Sequence, residues 1–102
     1  MAAANNKAGA FAPADTYEVR DLQFTVNKEF MESWAALKML RKFNEDGLSD
    51  FEKLDLSIEL IRLATGLSED DIVEAAGGNM AKATDVITFA MDIVTTIAPK
   101  NS

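Results

Sequence analysis

Cysteine and histidine are both absent from this chain. Without cysteine there is no disulfide, no thiolate metal site and no cysteine nucleophile; without histidine there is no imidazole ligand and no ordinary general base near neutral pH. Most hydrolase and zinc chemistry is thereby excluded. Basic residues are also scarce: 10 Lys and Arg stand against 17 Asp and Glu, a net charge of −7 that repels phosphate backbones and anionic membranes alike. The sequence therefore predicts a protein that binds neither nucleic acid nor membrane. No run approaches the ~18 apolar residues of a membrane span, and no basic stretch followed by an apolar one opens the chain, so the expected compartment is the cytoplasm.

What is present suffices for one domain. The 102 residues are 48% hydrophobic and 26% charged, a balance that closes a small core and keeps it dissolved. Residues 1–15 are mostly Ala, Asn, Gly and Pro without helical or strand period, and are expected to form a flexible N-terminal arm. Residues 16–98 are expected to form a single helical domain, and residues 99–102 a frayed tail. From Tyr17 the texture changes. Tyr17 and Val19 share one parity, then Leu22, Phe24 and Val26 alternate with Gln23 and Thr25. The phase shift at Arg20-Asp21 implies a bulge or a tight turn between two very short strands, which are too few to stand without helices beneath them.

Asn27 is a good N-cap, and Phe30, Trp34, Leu37 and Leu40 follow at helical spacing, widened by Met31 and Phe43. A first helix to about Phe43 is predicted, closed by Asn44-Glu45-Asp46-Gly47. Ser49 and Glu52 have capping-box spacing and start a second helix, with one apolar line through Phe51, Leu54, Ile58 and Ile61 and another through Leu56, Leu60 and Leu63. Covered on two sides, it should be the central helix. Thr65-Gly66 ends it, and Ser68 with Asp71 repeats the signal before a short helix carrying Ile72, Val73 and Ala76. After Gly77-Gly78, Asn79 is expected to cap a last helix through Met80, Ala83, Ile87, Ala90, Val94 and Ile97, stopped at Ala98-Pro99. The predicted fold is mainly α: about four helices with a short N-terminal β element. Its expected core is Trp34, Leu37, Leu40, Phe51, Ile58, Ile61, Ile87 and Val94.

Two acidic groups are the remaining candidates for chemistry. Glu69, Asp70, Asp71 and Glu74 cluster, as do Asp46, Asp50, Glu52, Asp55 and Glu59. Neither has ligand spacing: in the segment from Asp46 the position that a calcium loop reserves for glycine holds Phe51. Negative charge in a first helical turn accounts for Glu69 to Asp71. Gly77-Gly78 lacks the Lys and hydroxyl of a phosphate loop, so no cofactor and no metal is expected, and no catalytic residue is assigned.

The run Glu29-Phe30-Met31-Glu32-Ser33-Trp34-Ala35-Ala36-Leu37-Lys38-Met39-Leu40 resembles the tail assembly chaperones of long-tailed bacteriophages or prophages, which place a β-rich opening before an acid-x-Trp helix. Here Tyr17 to Val26 is the opening and Glu32 with Trp34 the pair. The resemblance continues through the acidic turn, the Leu/Ile-rich helix from Phe51 to Leu63, the short capped helix from Ser68 and the apolar final helix, covering about Tyr17 to Ile97 and leaving residues 1–14 unmatched. It implies a non-enzymatic protein of the infected bacterium's cytoplasm, absent from the mature virion, that binds the tape measure protein and helps tail tube subunits assemble around it. The family commonly occurs in a short form and a longer frameshifted one that reaches the tail tube protein; this chain would be the short form, and a homo-oligomer. Separately, Gly66-Leu67-Ser68 to Ile87 resembles ubiquitin-associated domains, which would make the chain a small helical interaction module instead, and a small regulator or antitoxin-like partner is a third class.

Partner-binding residues are expected where apolar side chains leave the main stripes. Met39, beside Lys38, Arg41 and Lys42, and Leu56 and Leu60 on the second apolar line of the central helix are those candidates, suited to holding another helix in a groove. The competing reading places Leu56 and Leu60 inside the domain.

Overall fold

The alternation from Tyr17 resolves into two antiparallel strands, β1 (Thr16–Val19) and β2 (Leu22–Thr25), in a computed structural model whose described residues are 16–98. The expected arm at 1–15 and tail at 99–102 lie outside the described residues. Tyr17 faces Phe24 across the pair, their rings stacked with centroids 6.2 Å apart, and Val19 faces Leu22. The phase shift is a tight turn: Arg20 and Asp21 have φ of 50° and 72°, both positive, as the two-residue hairpin connection that matches strand twist requires. Arg20 also holds the hairpin down. Its Nη2 donates to Asp92 Oδ2 at 2.7 Å, and its guanidinium carbon lies 5.2 Å from the ring centroid of buried Phe89.

Five helices follow: α1 (Lys28–Met31), α2 (Trp34–Phe43), α3 (Asp50–Thr65), α4 (Glu69–Ala75) and α5 (Ala83–Ile97). Asn27 is the predicted N-cap, its Oδ1 accepting from the Phe30 N–H at 3.0 Å. Its own N–H donates to the Ala64 carbonyl at 2.7 Å, which ties the exit of the hairpin to the last turn of α3. The single helix expected up to Phe43 is instead two. Ser33 adopts extended backbone (φ −83°, ψ 163°) and caps α2, so the helical phase restarts there and the count rises above four. Both capping boxes form as spaced: Ser49 N–H donates to Glu52 Oε1 at 2.8 Å while Ser49 Oγ accepts from Glu52 N–H at 3.1 Å, and Ser68 and Asp71 do the same at 2.9 and 3.1 Å. Gly66, at φ +83°, supplies the left-handed residue that ends α3, its N–H reaching the Arg62 carbonyl. The last helix starts later than expected. Its N-cap is Lys82, without a side-chain hydrogen bond, and a turn closed by the Ala81 N–H donating to the Gly78 carbonyl leaves Met80 93% exposed.

α3 and α5 pack chiefly on each other, with α1 and α2 against α3, and β1 and α4 against α5. Leu60 and Ile61 of α3 meet Phe89, Ile93 and Val94 of α5 in one cluster that also takes in Ile72 of α4. Small residues stand among them at Ala36, Ser57, Ala64 and Ala90, and the buried Ser57 hydroxyl is satisfied by donating to the Lys53 carbonyl at 2.8 Å. Of the expected core, Ile61, Ile87 and Val94 are buried and Leu40 and Ile58 pack half-buried against it. Trp34, Leu37 and Phe51 correct that expectation, being 62%, 45% and 69% exposed. The two apolar lines of α3 are not two separately covered faces either: the buried face runs between them through Ser57, Leu60, Ile61 and Ala64, leaving Phe51 at one margin and Leu63 at the other. Among the described residues no helix is long and apolar enough to cross a membrane.

Two measurements bear on this arrangement. Ile61→Ala should lower the unfolding free energy by about 2–5 kcal/mol in a urea titration, and Ile58→Ala by clearly less, because only Ile61 is wholly enclosed. The Glu52 carboxyl is held below the usual carboxylate range, first by the Ser49 backbone N–H, then by the Ser49 hydroxyl and the nearby Lys42 charge. Its folded pKa is thus depressed, so its contribution is full above the ordinary Glu range and disappears as pH falls through the lower, folded value. The stability gap between the wild type and Glu52→Gln should accordingly narrow in acid; a gap that widens there would contradict the capping geometry.

Candidate functional site

The restart of the helical phase at Ser33 decides what α2 shows to solvent. Ala36, Met39, Leu40 and Phe43 turn toward the core, and Trp34, Leu37 and Arg41, three and four residues apart, line the opposite side with Lys38 next to them. Trp34 and Leu37 border a shallow depression of about 370 Å³ whose other lining residues are Met31, Glu32, Ser33 and Leu40. The surface is apolar at its centre and charged at its ends. Glu32 stands before it, and Lys38 and Arg41 beyond it; neither cation makes an ion pair among the described residues, where the pairs are Arg20–Asp92 and Arg62–Glu59.

The candidate partner residues fare differently. Leu60 is 1% exposed and belongs to the α3–α5 core, which corrects its assignment: no partner reaches a side chain enclosed on all sides. Met39 is half-buried and packs toward the core from α2, and Leu56 is half-buried on the margin of α3. These three do not assemble into one open surface. Trp34 and Leu37 do, although their spacing suggested burial. The sequence carried a signal for this, since Lys38 and Arg41 lie four and seven residues after Trp34 and therefore on its own side of the helix; burying the indole would have drawn two charges in with it.

Elsewhere the surface offers little chemistry. A cavity of about 480 Å³ opens between β1, α1 and the end of α5, lined largely by apolar groups such as Tyr17, Val26, Met31 and Ile97, with Lys28 and Glu32 as its charged members. A smaller hollow carries Asp70 and Glu74, but among the described residues no three side chains of metal-ligating type come together. Ser33, Ser49, Ser57 and Ser68 all have their hydroxyls committed to backbone groups, and Glu69 to Asp71 occupy the first turn of α4 as their spacing suggested.

Because Trp34 is uncovered in the folded chain, Trp34→Ala should change the unfolding free energy by less than about 0.5 kcal/mol, the usual range for surface positions. A loss of several kcal/mol on thermal unfolding would return Trp34 to the core. Comparison with protein-family models, curated proteins and solved structures yields no match to this chain in any of the three.

Proposed function

We propose that the protein is a non-enzymatic tail assembly chaperone of a long-tailed bacteriophage, acting in the cytoplasm of the infected bacterium and leaving before the virion is complete. The observation that carries this reading is the uncovered apolar surface of Trp34 and Leu37 on α2, within the segment whose sequence resembles that family. A tape measure protein awaiting its tube presents long apolar helical stripes, and an amphipathic helix laid against Trp34 and Leu37 covers both. Burying one such side chain fully contributes roughly 1.5–3 kcal/mol, so a single contact is weak and release is easy. Many copies along one long partner, associating with each other, supply the avidity that a single copy lacks. A longer frameshifted form of the same chain would bring in the tail tube protein.

Co-expression with the tape measure protein of the same phage tests the proposal. The tape measure protein should become soluble and co-purify with the wild-type chain, and recovery should fall sharply with Trp34→Ala/Leu37→Ala, whose fold is checked by circular dichroism. A tape measure protein that stays insoluble, or a chain that retains ubiquitin instead, would overturn the chaperone reading.

A further inference from the structure

We infer that the Trp34 face of α2 takes an amphipathic helix in which two apolar anchors, about one turn apart, are flanked on one side, within a further turn, by acidic side chains that lie over Lys38 and Arg41. This rests on the protein being a binding chaperone and adds the chemistry of the segment it holds. In a chain of net charge −7, α2 carries Lys38, Arg41 and Lys42 and no acid. Lys42 acts on Glu52, whereas Lys38 and Arg41 have no ion-pair partner among the described residues. They border the apolar centre at one end only. Glu32 lines the other end, so carboxylates are welcome beyond Leu37 and unwelcome before Trp34, which gives the bound segment a direction as well as a charge.

A second copy of the chain matches this surface less well. Its most exposed apolar side chain on a rim of acids is Phe51, flanked by Asp50, Glu52 and Asp55, but Leu54, the residue one turn on, is packed against the core, so Phe51 offers one anchor against the two exposed side chains Trp34 and Leu37. An anionic membrane matches less well still, because two large apolar side chains give a shallow hold and the chain as a whole is repelled.

Trp34 is the chain's one tryptophan, so its fluorescence reports directly on this surface. The probe is a synthetic helix-forming peptide without tryptophan, with two leucines one turn apart followed by three glutamates, titrated into the full chain beside a twin in which lysines replace the glutamates. The acidic peptide should shift Trp34 emission to the blue and bind about tenfold more tightly than its twin at low salt, the margin shrinking as salt rises. Lys38→Glu/Arg41→Glu should reverse the preference, and Lys82→Glu, at an exposed position before α5, should leave it unchanged. Equal binding of the two peptides, or binding of neither, overturns the inference. So does a blue shift produced by concentrating the protein alone, which would seat a second copy there, or by vesicles of phosphatidylglycerol. Co-expression separates the two levels: a solubilised tape measure protein with no peptide charge preference removes this inference alone, and the peptide preference without solubilisation removes the chaperone reading alone.

Discussion

The Ser33 hydroxyl accepts a hydrogen bond from the Ala36 N–H at 3.2 Å and donates one to the Phe30 carbonyl at 2.6 Å. One side chain thereby serves the last turn of α1 and the first turn of α2, two places where a helix leaves backbone groups without partners. The extended backbone at Ser33 resets the helical phase between Met31 and Trp34. Met31 then points into the core from α1, Ala36, the third residue of α2, does so from the next helix, and Trp34 is turned outward. Had the helix continued unbroken, one stripe would have run from Phe30 to Leu40 and the apolar surface on α2 would not exist. The exposed apolar face of α2 thus follows from a local cap and not from a loop or a cleft.

Much of the fold was legible because its signals are local. Asn27, Ser49 with Glu52, and Ser68 with Asp71 announce helix starts through bonds spanning three residues, and Gly66 announces an end through its backbone freedom. The parity switch at Arg20-Asp21 is equally local, and both residues take the positive φ that the turn needs. Ser33 was harder to read: three residues later stands Ala36, with no carboxylate to complete a capping box, and a lone serine inside an apolar stripe looks like a tolerated helical residue. The start of α5 was misplaced for the opposite reason. Asn79 is a good cap by type, yet Gly78 before it and the turn after it use the chain for reversal, and α5 begins at Ala83 with no side-chain cap.

Which flank of a helix faces inward is a tertiary decision, and there the sequence was least explicit. On α3 both apolar lines are real, but the small residues Ser57 and Ala64 lie between them and allow α5 to approach closely. The side chains at the margins, Phe51, Leu56 and Leu63, are left half-buried or exposed. Leu60 was drawn into the partner surface by its place on the second line, whereas it stands beside Ser57 and Ala64 on the buried face of α3. Charge was the better guide. Asp55 follows Phe51 by four residues, just as Lys38 follows Trp34, and both aromatic rings are exposed.

Trp34 keeps 62% and Leu37 45% of its surface exposed in the folded chain, so folding realises only part of the free energy their burial could contribute. Their transfer free energy is held over for whatever covers them, at roughly 25 cal/mol per Å² of apolar area removed from water. Tryptophan suits that role because it brings a large rigid surface with few rotatable bonds to immobilise. The same feature invites unwanted association, and the charges around it limit that. Glu32, Lys38 and Arg41 interrupt the apolar area on both sides, and within a chain of net charge −7 the helix α2 carries three basic residues and no acid. A stickier surface without those charges would bind more partners and release fewer of them.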